Sequence, residues 1–188
     1  SRPSARTQAY FIDNDDYFHK RAMLQDEAGK DYADNEERAI FFARGTLETV
    51  KKLRWIPNVI HCHGWISALA PIYIKTAYKD EPCYADVKVV FSADNNMPQH
   101  QLSDKFISEI AFKDLTQEES QKHDIDFKNP NALLELAVRY SDGFIQSEEG
   151  VHNDLLELAK SLGKPILPYT SKDMQDEYGA FYDSIFKQ

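Results

Sequence analysis

Sulfur is scarce in this chain, and metal-binding patterns are missing. Its 188 residues hold two cysteines, Cys62 and Cys83, in neither a C-x-x-C nor a zinc-ribbon spacing, so both are expected to be reduced and unpaired, and a disulfide framework is excluded. No N-x-[ST] sequon and no signal-peptide pattern occurs, which makes a reducing cytoplasm the expected compartment. No apolar run approaches the roughly 18 residues that cross a bilayer, so no membrane partner is expected. Positive charge is short as well. With 22 Lys+Arg against 31 Asp+Glu the formal net charge is -9, a field that repels phosphate backbones and excludes nucleic acid as a partner. Glycine is sparse, and no two of the 7 are adjacent. The dinucleotide fingerprint G-x-G-x-x-G, the phosphate loop G-x-x-x-x-G-K-[ST], the nucleophile elbow G-x-S-x-G and the zinc motif H-E-x-x-H are all missing.

What is present is the make-up of a folded α/β domain: 42% apolar, 28% charged and 12% aromatic residues, in a length suited to one core. No repeat or low-complexity linker appears, so residues 1–188 are read as a single domain. Gln8-Ala-Tyr-Phe-Ile12 reads as a strand, ended by the turn-forming Asp13-Asn-Asp-Asp16, which lacks the central glycine of a calcium loop. Asp34 and Asn35 are placed to cap a helix with Glu36 and Glu37 in its first turn, Ile40, Ala43, Leu47 and Val50 on its apolar face, and Lys51, Lys52 and Arg54 at its end. Trp55-Ile-Pro57 breaks it. Asn58–Cys62 and Val87–Phe91 are apolar enough to be neighbouring inner strands buried on both faces. Between them, residues 65–78 read as a helix in which Pro71 demands a local adjustment. A long, partly helical insertion spans residues 95–131. Then follow a helix over 131–140, a strand at 143–146, a helix over 148–161 stopped by Gly163, a strand at 165–168 and a last helix over 172–186. Strands separated by helices imply parallel βαβ units and a sheet covered on both faces. Phe41, Phe42, Phe106, Phe112 and Phe181 are read as core.

Two segments carry candidate chemistry at strand ends, where open α/β sheets bind ligands near a switch in strand order. In His61-Cys62-His63-Gly64-Trp65, strand alternation sets His61 and His63 on one side and Cys62 on the other. The two histidines could chelate a metal or meet a sugar hydroxyl, but no third ligand stands at a readable spacing. Hydrogen-bonded histidines at a strand end are the plainer reading, and neither metal nor cofactor is expected. In Phe91-Ser-Ala-Asp-Asn-Asn96 a strand gives way to Asp94, Asn95 and Asn96, which spacing alone favours as an Asx turn over polar ligand contacts. Trp65 could stack on a sugar or belong to the core. His63, Trp65, Asp94 and Asn95 are expected to converge on one pocket, away from Trp55.

Taken in series, these motifs carry a resemblance. Tyr10-Phe-Ile-Asp13, Tyr32-Ala-Asp-Asn35 with Arg38, Val59-Ile-His-Cys-His-Gly-Trp65 followed by Ala68-Leu-Ala-Pro71, Val89-Val-Phe-Ser-Ala-Asp-Asn95 and Tyr140-Ser-Asp-Gly143 resemble, in order and spacing, the N-terminal domain of bacterial glycogen and starch synthases. The resemblance implies a Rossmann-like three-layer domain with a mostly parallel sheet, one half of a GT-B glycosyltransferase that moves glucose from ADP-glucose to an α-1,4-glucan. It implies substrate contacts at Tyr32, His63, Trp65, Asp94 and Asn95, and α-glucan or ADP-glucose as partners. The chain also departs from the family pattern. The Lys-x-Gly-Gly loop is missing, and with Ser1 at the start the first strand and nucleotide loop are expected to precede it. His-Asp-Trp-His reads His63-Gly64-Trp65-Ile66, and the usual His-Asn pair reads Asp94-Asn95. No room remains for a second GT-B domain, which a separate chain would supply. Self-sufficient transfer is therefore not expected, and two readings stand: half of a synthase site, or a glucan-binding or regulatory module that kept the fold.

Overall fold

Five strands, all parallel, form the sheet in the order of the sequence: β1 (Ala9–Ile12), β2 (Val59–His63), β3 (Lys88–Ser92), β4 (Gly143–Ile145) and β5 (Ile166–Leu167). The computed structural model describes residues 8–12, 24–171 and 173–188. The expected turn at residues 13–16 lies outside the described residues. The two strands expected to be inner neighbours are paired in parallel, with His61 beside Val90 and His63 beside Ser92. β1 pairs with β2 on its other side, Phe11 beside His61.

Strand order decides where the helices go. Each crossover between adjacent parallel strands is right-handed, so a sheet that never reverses its order receives every crossover helix on the same face. The helices α1 (Asn35–Lys52), α2 (Ala70–Lys75), α5 (Asn131–Tyr140) and α6 (Asn153–Ser161) lie between successive strands. They contribute Leu47, Ile72, Leu134 and Leu155 to one large core with Ile60, Cys62, Val89, Phe91 and Phe144 from the sheet. The opposite face presents Val59, Val90 and Ile145, and it is closed by a 3-10 turn (Met174–Glu177) and α7 (Tyr178–Phe186), which supply Met174, Phe181 and Ile185. This completes the α/β Rossmann-like sandwich. The short helices α3 (Phe106–Ile110) and α4 (Gln117–Gln121) sit in the insertion between β3 and α5.

Several elements differ from expectation for local reasons. The expected helix over 65–78 is a 3-10 turn at Trp65–Ser67 followed by the six-residue α2, with Pro71 in the first turn of α2, where its missing N–H costs no ladder bond. The helix expected from residue 148 begins only at Asn153, because His152 before it is left-handed at φ 55°. Asp34 does precede α1, but its side chain makes no capping bond there. Instead Asn35 donates from Nδ2 to the Leu24 carbonyl at 2.8 Å. Phe41 does not join the core with Phe42 and Phe106; it is 70% exposed on the outer side of α1. Cys62 and Cys83 are both free and buried, and burial pushes the Cys62 thiol up to about 12.

Candidate functional site

The carboxyl ends of β2 and β3 bring together the polar side chains that sequence alternation placed on one side. His61 is completely buried, and its Nε2 lies 2.6 Å from Ser92 Oγ. The same hydroxyl lies 2.8 Å from His63 Nδ1. On its far side His61 Nδ1 meets the Tyr182 hydroxyl of α7 at 2.5 Å. His63 stands at the strand end, and its Nε2 is 3.6 Å from Asp94 Oδ2, with the two side chains 17% and 24% exposed. That separation exceeds a hydrogen bond but leaves the two groups in electrostatic contact.

Asp94 is held by more than His63. Its Oδ1 accepts the Asn96 amide at 3.0 Å in an Asx turn, and its carbonyl oxygen lies 2.6 Å from His152 Nε2. Burial raises the cost of ionising Asp94, but His63 and the Asn96 amide outweigh it and hold the carboxyl below its usual range. His61 goes the other way. Burial, helped by the neighbouring His63, depresses it from 6.5 to about 3, so it is neutral at physiological pH.

The turn after β2 is shaped by Gly64. Its backbone lies at φ 88° and ψ 165°, a region open essentially to glycine alone, and its N–H donates to the Ser92 carbonyl at 2.9 Å. An aspartate here would be strained even though the space around its Cβ is open. The backbone beside His63 therefore disfavours the carboxylate that the family pattern has at this position.

Of the five residues expected to contact substrate, His63 and Asp94 meet, and Asn95 follows Asp94 with its side chain exposed. Trp65 does not reach the mouth. It is 1% exposed and donates from Nε1 to the Pro130 carbonyl at 2.9 Å, so its ring is core and has no free face for a sugar. Tyr32 lies on the loop before α1, under the Arg38 guanidinium at 5.4 Å. That loop is tied to the segment after Asn96 through Asp31, whose Oδ2 accepts the Gln99 and His100 amides at 2.7 and 2.9 Å.

Alternation could have added Ser92, two residues before Asp94 in a strand predicted beside β2. Tyr182 carried no signal, because it lies 121 residues beyond His61. Phe11 was likewise missed. It is 47% exposed, its ring edge-on to His61 at 4.7 Å and stacked over His63 at 6.0 Å. Among the described strands the order never reverses, so the site lies at the ends of two consecutive strands and not at a switch point. Among the described residues no three His, Cys, Asp or Glu side chains are grouped to hold a metal ion. No described helix is long and apolar enough to cross a membrane.

A family model described as the starch synthase catalytic domain matches residues 1–164. The chain belongs to this family. A glycogen synthase from Pelodictyon phaeoclathratiforme is 33% identical over 159 residues, which is 81% of this chain and 32% of that protein. One from Chlorobium limicola is 40% identical over 94 residues, covering 50% and 19% respectively. The chain thus spans between about a fifth and a third of these relatives' length. Among solved structures, the catalytic domain of starch synthase IV from Arabidopsis thaliana, bound to ADP and acarbose, shares the fold with a TM-score of 0.56 at 18% identity, over 74% of this chain and 30% of that one. The glycogen and starch synthase resemblance and the α/β class read from the sequence both hold.

Proposed function

We propose that these 188 residues form one domain and supply the glucan-facing half of a synthase site that extends an α-1,4-glucan from ADP-glucose, the nucleotide half coming from a second domain. The observation that carries this reading is the meeting of His63 with Asp94, which Asn95 follows, at the carboxyl ends of two adjacent parallel strands, in a chain of this family. Ligands gather at such strand ends because loops there are free to diverge while the strands stay fixed. The Arabidopsis relative holds ADP and acarbose, a nucleotide and a carbohydrate. In this chain the charge at the mouth favours the carbohydrate. Asp94 is kept ionised, and a second anion about 4 Å from it would be opposed by roughly 4 kcal/mol at an effective dielectric near 20. A departing diphosphate is therefore better stabilised elsewhere, by donors this half-site does not provide. Sugar hydroxyls, which are neutral and both donate and accept, suit His63, Asp94 and Asn95.

Two assays test this. With labelled ADP-glucose and glycogen, the 188-residue chain alone is expected to transfer no glucose, and transfer that disappears in Asn95→Ala would overturn the half-site reading. Calorimetric titration with maltohexaose is expected to show binding that His63→Ala weakens about five-fold, as loss of one hydrogen bond implies. No heat at any soluble maltohexaose concentration would remove the glucan from the proposal.

A further inference from the structure

His63 is the outer end of a hydrogen-bonded chain that runs along one face of the sheet to the last helix, His63 to Ser92 to His61 to Tyr182, with Asp94 facing His63 at 3.6 Å. Its direction follows from what each atom can do. The Asp94 carboxylate only accepts, so its charge favours a proton on the facing His63 Nε2. A neutral His63 then presents a lone pair at Nδ1, which the single Ser92 proton satisfies. With that proton committed, Ser92 Oγ accepts from His61 Nε2–H. His61 is neutral because it is buried, so its Nδ1 lone pair takes the Tyr182 hydroxyl proton. For a neutral His63 the reverse order would set its lone pair against the Asp94 carboxylate. Among the described residues, the other aromatic rings against the two histidines are Phe11 from β1 and Tyr178 from α7, the latter 5.4 Å from His61. Neither carries a charge at neutral pH, so neither opposes this order.

We propose that Ser92, His61 and Tyr182 are positioning residues that hold the His63 ring with a proton fixed on Nε2, so that the site offers a sugar oxygen a fixed hydrogen-bond donor. This rests on the reading of His63 as a sugar-facing group. It gives α7, which lies beyond the 1–164 family match, a part in the site that packing alone would not require. A histidine without partners exchanges its proton between two nitrogens, whereas one with a bonded Nδ1 acceptor presents a single face.

Long-range proton–nitrogen correlation of the histidine rings in the 15N-labelled 188-residue chain reads the tautomers without any ligand. Both His61 and His63 are expected to carry a proton on Nε2, His61 on that nitrogen alone. Ser92→Ala should move His63 toward a mixture of tautomers and weaken maltohexaose about five-fold, and Ser92→Thr, which keeps the hydroxyl, should restore both. Tyr182→Phe should leave the amide spectrum folded while His61 Nδ1 moves to the position of an unbonded acceptor. A wild-type His63 protonated on Nδ1, or unchanged His63 resonances in Ser92→Ala, would overturn the proposal. If Ser92→Ala does not fold, the wild-type tautomers and the Tyr182→Phe shift decide the question. Expected tautomers without maltohexaose binding would support the positioning chain and remove the glucan reading.

Discussion

The two faces of the sheet do different work. One lies under four crossover helices and is apolar from edge to centre, with Ile60, Cys62, Val89, Phe91 and Phe144 all buried. The other alternates Val59, Val90 and Ile145 with His61, His63 and Ser92, and the C-terminal 3-10 turn and α7 close it. The contrast originates in topology. A strand order that never reverses sends every right-handed crossover to one side, leaving the other side to whatever follows the last strand. Alternation along β2 and β3 then sorts residues between a face specialised for packing and a face where polar groups find partners. Stability and chemistry come from the same strands, one residue apart.

The comparison breaks most visibly at Trp65. Buried against the packed face, it should cost about 3–5 kcal/mol on replacement by alanine through lost burial and the cavity left behind. Urea denaturation should show this loss, and any surviving folded fraction should bind maltohexaose as the wild type does. Selective loss of affinity with normal stability would return Trp65 to the site.

On the thin face, Gly143 is the place to separate α7 from the rest. A Cβ there would collide with Ile185 Cδ1 and come within 3.2 Å of Phe181 Cζ. Gly143→Ala is expected to destabilise by about 1–3 kcal/mol through overpacking. Amide exchange should speed up in α7 before it does in α1 or α5. Uniform acceleration would mean that the two faces unfold as one unit.

Acid should act on the same thin face. Because the folded His61 is depressed to about 3 from an ordinary 6.5, the unfolded chain binds a proton over that interval and the folded chain does not. Its contribution is full above pH 6.5 and declines as pH falls toward 3, by up to about 1.4 kcal/mol per unit. The urea midpoint should therefore drop between pH 7 and 5, and His61→Gln should flatten that drop. Equal pH dependence in both proteins would show that His61 is not the buried neutral group described. The smallest effect is expected at Phe41. At 70% exposure, Phe41→Ser should change stability by no more than about 0.5 kcal/mol, as denaturation would show.

Sequence patterns made the packed face largely legible. Short apolar runs located β2 and β3, and the helix at Asn131–Tyr140 stands where its apolar period placed it. Boundaries failed where single residues overrode a pattern, as with the left-handed His152 ahead of α6 and the 3-10 turn after Gly64. The site was half legible. Alternation set His61 and His63 together, and parallel pairing brought Asp94 to them. Trp65 misled because a residue just past a strand end can turn inward as readily as outward. The Tyr182 contact could not be read at all, since it depends on how a terminal helix folds back across the sheet.

We propose that the histidine-bearing face and its strand ends receive the glucan while the packed face only supports them. Amide and ring chemical-shift mapping during a maltohexaose titration tests it most directly. Perturbations are expected to concentrate at Phe11, His63, Asp94 and Asn95, with Trp55 and the outer surface of α1 unchanged. Saturable shifts centred on α1, or none at these strand ends, would contradict it.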